Sequence, residues 1–217
     1  MYGDVTHIYI YIVTSHTFTF IYDVDGFNLF LGNITYVDFV SGLEGSCSSP
    51  ESPCKYLHRA VEIANQNSKV VISGEQSLFK TIQIEKHITI ESGSQKGIIV
   101  GKSNAPFAFT ISPMINITLR GIKFKDISII SMSERSHVVV DDCAATGCKK
   151  TIFNLDRGIS LYISNSSFNK MEAHVINKED DETHYNKINN WRKVIIFINC
   201  TIWDTKGIYL KSHSTIV

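Results

Sequence analysis

Hydrophobic and polar positions alternate in four stretches of the chain that can be laid over one another. They are residues 117–124, 138–145, 161–168 and 195–202, which recur after 21, 23 and 34 residues. Each predicts a short strand, a bend and the start of a second strand. One such unit cannot bury its own apolar face, whereas stacked copies share a continuous core. The pattern therefore predicts an all-β fold, a parallel β-solenoid.

The same alternation predicts further strands on either side of these repeats. Ile88 and Ile90 fit the inward positions that Ile117 and Leu119 hold one coil later, with Ser92 at the bend. The other predicted strands are residues 70–72, 81–84, 98–100, 107–111, 129–130, 152–155, 174–176 and 208–210.

A helix is predicted near residues 53–66, with Ser52 as its N-cap and Pro53 at its first position. Leu57, Ala60 and Val61 fall on one face of that helix. An apolar stripe of this kind can cover the open end of a solenoid, where the first coil exposes its core and unpaired strand groups.

Residues 1–35 form a separate strand-rich segment that precedes the β-helix domain, residues 36–217. The run 7–22 is apolar, but it has no basic n-region and is interrupted by Thr, Ser and His. Alternating strands are favoured, and a degenerate signal or a truncated region stays open. At the other end the chain stops directly after a strand, so we expect the solenoid either to continue in a longer protein or to pair its exposed end with another partner.

Residues 177–190 are polar and show no periodicity, and their presence explains the 34-residue spacing. We interpret them as a loop inserted into one coil. Solenoids carry such loops on one side, where the loop serves binding or is a tolerated insertion.

The chain resembles the right-handed parallel β-helix, or pectin-lyase-like, superfamily over residues 36–217. Three groups of residues carry the resemblance: the N-terminal unit 36–61 with its Gly/Ser loop and helix, the opening coil 116–124, and the Asn-Ser and Asn-Cys pairs at 165–166 and 199–200. The resemblance implies a right-handed solenoid with a short N-terminal capping helix. It leaves activity undecided, because this fold carries lyases, hydrolases, esterases, adhesins and passive surface proteins.

The predicted bend after each repeated strand is held by Gly121, Asp142, Asn165 and Asn199. Asn and Gly tolerate the left-handed backbone of a bend, and stacked Asn side chains can hydrogen-bond from coil to coil. We interpret this column as a structural ladder.

Glu91, Arg120 and Asp141 share one outward column and are weak catalytic candidates. Lyases of the resembled superfamily use outward acids to hold calcium and a basic residue to take a proton. Here the spacing predicts Arg120 between two carboxylates, which it would neutralise. Asp141-Asp142-Cys143 is similar to a polygalacturonase motif, but the other motifs of that branch are absent. We therefore predict no catalytic residue and no cofactor. Calcium would be required only if the protein were a lyase.

Outward apolar side chains predict a binding face made of Tyr162, Ile196 and Ile198. Tyr162 can stack on a sugar ring or a protein, and packing beneath the 177–190 loop is the alternative.

Five cysteines favour an oxidising compartment. Disulfides are predicted between Cys47 and Cys54 and between Cys143 and Cys148, which leaves Cys200 as a buried free thiol. No His or Cys cluster has metal-ligand spacing, so we predict no metal site.

Four Asn-x-Ser/Thr sequons also point to secretion. Asn33 and Asn116 are the predicted glycosylation sites, whereas Asn165 and Asn199 are expected to be too buried in the ladder.

The 21 basic and 21 acidic residues balance, which argues against a nucleic-acid partner. The favoured hypothesis is a noncatalytic, secreted or cell-surface β-helix domain, acting as a scaffold or as a recognition or adhesion module for carbohydrate or a surface protein. One alternative is a divergent polysaccharide lyase or glycoside hydrolase acting on acidic polysaccharide. Another is a fragment of a larger surface protein, attached to the membrane through flanking sequence.

Overall fold

The computed structural model describes residues 8–13, 34–43, 47, 49–102, 105–155, 158–178 and 193–210. Within them lie twenty strands and one helix. In chain order these are β1 (Ile8–Val13), β2 (Ile34–Asp38), α1 (Leu57–Ile63), β3 (Ser68–Ser73), β4 (Glu75–Leu78), β5 (Ile82–Ile84), β6 (Ile88–Ser92), β7 (Ile98–Gly101), β8 (Phe107–Ile111), β9 (Asn116–Arg120), β10 (Lys123–Lys125), β11 (Ser128–Met132), β12 (His137–Asp141), β13 (Ala144–Thr146), β14 (Phe153–Leu155), β15 (Ser160–Ser164), β16 (Ser167–Asn169), β17 (Ile176–Lys178), β18 (Lys193–Ile198), β19 (Thr201–Trp203) and β20 (Ile208–Leu210).

The strands form three sheets in which every pairing between named strands is parallel. The first sheet has the order β1-β18-β15-β12-β9-β6-β3-β2, the second β19-β16-β13-β10-β7-β4, and the third β20-β17-β14-β11-β8-β5. From β3 to β20 the chain visits the three sheets in rotation and adds one strand to each on every circuit. The protein is therefore mostly β, and this arrangement is compatible with a parallel β-helix.

The predicted register of the four repeats is confirmed. Ile117 pairs with Val138, Val138 with Leu161, and Leu161 with Ile195. Ile88 pairs with Ile117, as its apolar pattern predicts. One strand was not predicted: β4 has the sequence Glu-Gln-Ser-Leu, and its inward residue Gln76 is polar.

Stacked apolar side chains fill the space between the three sheets. In the first sheet the inward column is Val70, Ile90, Leu119, Val140, Ile163 and Phe197, all of them buried. Phe109 and Phe124 meet edge to face with ring centroids 6.4 Å apart, and Phe153 and Phe168 repeat this contact at 5.7 Å. Aromatic pairs of this geometry add about 0.5–1.5 kcal/mol beyond their burial, so they join the second and third sheets specifically.

The bends after the first-sheet strands are left-handed. Gly121, Asp142, Asn165 and Asn199 have φ angles of 67°, 51°, 50° and 51°. A second left-handed column follows the second sheet, at Asp126, Gly147, Lys170 and Asp204. A left-handed residue turns the chain sharply between two strands, which is why Gly, Asn and Asp are frequent at these points.

Helix α1 starts later than predicted. Its N-cap residue is Tyr56, and neither Ser52 nor Pro53 belongs to it. The reason is that Cys54 forms parallel bridges with Val37 and Leu43, which hold this part of the chain extended. The helix is consequently only seven residues long, and Leu57, Ala60 and Val61 are its buried side chains.

Two side chains from the neighbouring strands and turns hold the ends of α1. The buried side chain of Gln76 accepts a hydrogen bond from the Leu57 N–H at 3.1 Å. At the other end the Lys86 ammonium donates to the carbonyls of Glu62 and Ala64, at 2.9 and 2.8 Å. Both ends of a helix carry backbone groups without intrahelical partners, and these contacts satisfy some of them.

A disulfide between Cys47 and Cys54 closes a loop along the outer edge of β2. Tyr36 donates its N–H to the Cys47 carbonyl and accepts a hydrogen bond from the Cys54 N–H, at 2.9 and 2.8 Å. Gly42 fits here because a Cβ at this position would collide with the carbonyls of Asp38 and Cys54. An exposed strand edge is a template for unwanted pairing, and this loop covers it.

The segment 1–35 contributes strand β1, which pairs with β18 at the opposite end of the first sheet from β2. The division of the chain at residue 35 stays a prediction. Of the predicted loop 177–190, residues 177 and 178 belong to β17, and the rest lies outside the described residues. In the part of the chain that the structure describes, no helix is long and apolar enough to span a membrane.

Candidate functional site

The outward column of the first sheet brings Glu91, Arg120 and Asp141 together as predicted by their spacing. Glu91 pairs in register with Arg120, and Arg120 with Asp141. The predicted ladder of one arginine between two acids does not form, however. The Arg120 Nε lies 3.3 Å from the Asp141 Oδ2, whereas Glu91 forms its ion pair with Lys69 at 3.0 Å.

Asp141 accepts two further hydrogen bonds, which come from the next coil. Its Oδ1 accepts from the Ser164 hydroxyl at 2.8 Å and from the Asn165 amide at 3.0 Å. Partial burial alone would raise the pKa of Asp141, but the hydrogen bonds from Ser164 and Asn165 and the charge of Arg120 outweigh it and lower that pKa. The carboxylate is therefore held ionised and serves as an acceptor for its neighbours.

Two of the bend residues, Asn165 and Asn199, form a short ladder on the outside of the coil together with Asp141, the residue that precedes the Asp142 bend. The Asn165 amide donates to Asp141, and the Asn199 amide donates to the Asn165 oxygen at 3.4 Å. Asn165 and Asn199 are exposed, so the expectation that the ladder buries them is wrong. Their amides point outward because the left-handed bend turns the following residues, Ser166 and Cys200, toward the interior.

The predicted binding face is only partly accessible. Ile196 is 6% exposed and cannot be a contact residue, whereas Ile198 is 37% exposed. Tyr162 is half-buried, and its ring lies 5.1 Å from that of His137. Burial lowers the pKa of His137, so this pair packs as a neutral aromatic contact.

The second predicted disulfide is wrong, because Cys143 and Cys148 are separate buried thiols. They flank strand β13, whose extended backbone holds them apart. The Cys148 thiol donates to the Ile127 carbonyl, and the Cys143 thiol to the Asp141 carbonyl. Burial raises the pKa of each to about 12. Cys200 is also free, but it is only half-buried.

The third sheet carries a column of outward polar side chains that was not predicted as a site. Gln83, Thr110, Ser131 and Asn154 pair in register on β5, β8, β11 and β14, and we call them the polar strip. Gln83 and Asn154 are exposed, and Thr110 and Ser131 are half-buried. The sequence contains a signal for this column, because an uncharged polar residue stands between two inward apolar residues on each of these strands.

Hydrogen bonds hold the polar strip in place without saturating it. The Asn154 amide donates to the Ser131 hydroxyl at 3.2 Å, and the Gln83 amide donates to Ser112 at 2.8 Å. Each of these side chains can both donate and accept hydrogen bonds. Successive members lie roughly 4.8 Å apart, the spacing of neighbouring strands. The strip therefore offers a straight, uncharged row of donors and acceptors.

The remaining predicted sites carry less structural information. Asn116 is half-buried at the start of β9 and donates its N–H to His87 Nδ1 at 2.8 Å, and Asn33 lies outside the described residues. Among the described residues, no three His, Cys, Asp or Glu side chains are grouped so that they could hold a metal ion.

Comparison with protein-family models and with curated proteins finds no match for this chain.

Proposed function

We propose that this chain is a noncatalytic recognition module of the right-handed parallel β-helix type, similar to the pectin-lyase-like superfamily, which binds carbohydrate along its third sheet. The rotation of the chain through three parallel sheets and the left-handed bends support the β-helix. In this proposal α1 covers the end of the stack, because its buried face lies against β2 and β3 and its ends are held by Gln76 and Lys86.

The observation that carries the proposal is the polar strip. Sugar hydroxyl groups are recognised by side chains that donate and accept hydrogen bonds, and Asn, Gln, Ser and Thr all do both. A regular row of such groups suits a repeating polymer better than a folded protein partner, whose interfaces centre on buried aromatic and arginine anchors. The strip is also free of charge, which favours hydroxyl groups over ions.

The contacts that the outward acids Glu91 and Asp141 already form favour a recognition function over that of a divergent lyase or hydrolase. A general base must be within hydrogen-bond reach of the proton that it abstracts. Asp141 already accepts hydrogen bonds from Arg120, Ser164 and Asn165, and Glu91 is paired with Lys69. An enzyme using this column, with or without calcium, would first have to break these contacts.

We place the protein at the cell surface or in the secreted fraction. The disulfide between Cys47 and Cys54 is compatible with an oxidising compartment, where such bonds persist.

The test is a binding assay that also detects cleavage. The purified chain is incubated with immobilised neutral and acidic polysaccharides, with and without calcium, and bound protein and released fragments are both measured. A Gln83→Ala, Ser131→Ala, Asn154→Ala variant is compared with a Thr89→Ala, Thr118→Ala control, which changes outward residues of the first sheet.

We expect binding without shortening of the polymer, weakened in the strip variant and kept in the control. Release of fragments would overturn the noncatalytic proposal. Absence of binding to every polysaccharide would overturn carbohydrate recognition.

A further inference from the structure

Asn199 begins one of the four sequons and lies at the left-handed bend that joins β18 to β19. The sequon reads Asn-Cys-Thr over residues 199–201. Asn199 has a φ angle of 51°, and both Asn199 and Thr201 are exposed. An N-linked glycan is bulky and requires an asparagine at the surface. The structure therefore meets this requirement at a position that was predicted to be buried.

Asn165 begins a second sequon at the same bend one coil earlier, but its amide has contacts on both sides. The Asn165 nitrogen donates to Asp141 Oδ1 at 3.0 Å, and the Asn165 oxygen accepts from the Asn199 amide at 3.4 Å. Successive rungs of the ladder are roughly 4.8 Å apart, the spacing of neighbouring strands. A sugar attached to Asn165 would have to pass between the side chains of Asp141 and Asn199 and would disturb both contacts.

Asn199 is held by the ladder more loosely. The hydrogen bond that its amide donates to Asn165 is 3.4 Å long, beyond the usual range for an N–H donor and an oxygen acceptor. An asparagine amide nitrogen carries two hydrogens. When a sugar replaces one of them, the other can still donate to Asn165. The ladder can therefore accommodate a glycan at Asn199 without losing this hydrogen bond.

Exposed apolar side chains flank Asn199 in the chain. Ile198, which directly precedes it, is 37% exposed, and Trp203 at the end of β19 is 51% exposed. Exposed apolar surface favours association with other molecules. A hydrophilic oligosaccharide anchored between these two residues would oppose such association, because an attached glycan is bulky and solubilising.

From these observations we propose that Asn199 carries an N-linked glycan and that Asn165 does not. The Asn199 Nδ2 forms a bond to C1 of the first sugar of a polyprenyl-diphosphate-linked oligosaccharide. The bond between that C1 and the diphosphate oxygen breaks, the diphosphate leaves with the electron pair, and the amide loses one proton. Transfer takes place on the extended chain, so the native structure acts by deciding which glycosylated chains can fold.

The glycan would leave the proposed carbohydrate-binding face free. The bend at Asn199 joins the first sheet to the second, whereas the polar strip lies on the third. The inference therefore goes beyond the proposed function and rests only on passage through the secretory pathway. Loss of the glycan should leave polysaccharide binding unchanged, so a failure of either proposal can be told from a failure of the other.

The experiment maps the glycans on the full chain, expressed in eukaryotic cells with an added cleavable signal peptide. The secreted, folded protein is digested, and the occupancy of each sequon is measured by mass spectrometry before and after enzymatic release of the glycans. Thr201→Ala removes the sequon and leaves the Asn199 amide in place, and Thr201→Ser is its control because it keeps the sequon. Ser167→Ala removes the sequon of Asn165 in the same way.

We expect a glycan at Asn199 in the wild type and in Thr201→Ser. Thr201→Ala should lose the mass of one glycan, and Ser167→Ala should have the same mass of glycan as the wild type. An unmodified Asn199 in the secreted protein would overturn the inference, and so would glycosylation of Asn199 that occurs only in protein retained in the cell. Equal occupancy of Asn165 would overturn the selectivity that the ladder is proposed to impose.

Discussion

The side-chain oxygen of Gln76 accepts a hydrogen bond from the backbone N–H of Leu57 at 3.1 Å, although 19 residues separate them. Gln76 occupies an inward position that Ile99 and Phe124 hold in the next two coils. A buried polar residue is tolerated there because a helix start, with its unpaired N–H groups, lies against it.

Gln76→Met should destabilise the protein by about 1–2 kcal/mol, because it keeps the volume of the side chain and leaves the Leu57 N–H without its acceptor. Urea unfolding measures this loss, and amide exchange at Leu57 should accelerate. The control is Ser77→Ala, at the neighbouring outward position. Equal stability of Gln76→Met and wild type would contradict the capping role.

Lys86→Met should cost about 1 kcal/mol, since it removes the ammonium that binds the Glu62 and Ala64 carbonyls at the end of the helix. Thermal unfolding is the measurement, with exposed Lys80→Met as the control. A loss of the same size in both variants would show that charge, and not the contact, is responsible.

Removing the disulfide with Cys47→Ala, Cys54→Ala should lower the free energy of unfolding by about 2–3 kcal/mol, as expected for a short closed loop. The loosened loop should also expose the edge of β2, which light scattering would detect as association. Reductant should destabilise the wild type and leave this variant unchanged. A reductant effect on the variant would point to a different bond.

Asp141 should make the stability of the protein depend on pH in the acidic range. Its pKa in the folded protein lies below the ordinary value of 3.8, so its contribution is complete above about pH 3.8 and is lost as pH falls through the folded pKa. The stability difference between wild type and Asp141→Asn should therefore shrink below pH 4. Denaturant unfolding from pH 6 to pH 2.5 tests this, and a constant difference would refute it.

His137 should also make the stability of the protein fall as pH falls, but in a higher pH range than Asp141. Burial lowers its folded pKa below the ordinary 6.5, so the unfolded chain takes up the proton first as pH falls. Stability should decline as pH drops below about 6.5, and His137→Gln should flatten that decline. Unfolding at pH 7.5 and 5.5 measures the effect, which an identical decline in the variant would rule out.

The strand pattern was predictable because the first-sheet strands β3, β9, β12 and β15 alternate buried and less buried residues and successive coils repeat that pattern. The register of Ile117, Val138, Leu161 and Ile195 follows from spacing alone. The start of α1 was not predictable, since it depends on Cys54 pairing with β2. Likewise the inward Gln76 breaks the apolar alternation of β4, and only its contact with the helix accounts for it.

The candidate site was less predictable than the fold. The position along the strand predicted that Arg120 lies beside Asp141. It did not predict that Glu91 forms its ion pair with Lys69. Alternation marked Ile196 as outward, although it is buried.

The distribution of thiols has a consequence for how the chain is oxidised. Cys143 and Cys148 become inaccessible when the coils stack, and a pKa near 12 suppresses the thiolate that disulfide exchange requires. Cys47 and Cys54 meet on the loop that covers the edge of β2. Coil formation before oxidation therefore favours the native pair over pairs with Cys143 or Cys148. Oxidation of the unfolded chain would instead trap interior cysteines in wrong pairs, and recovery would then depend on a disulfide isomerase.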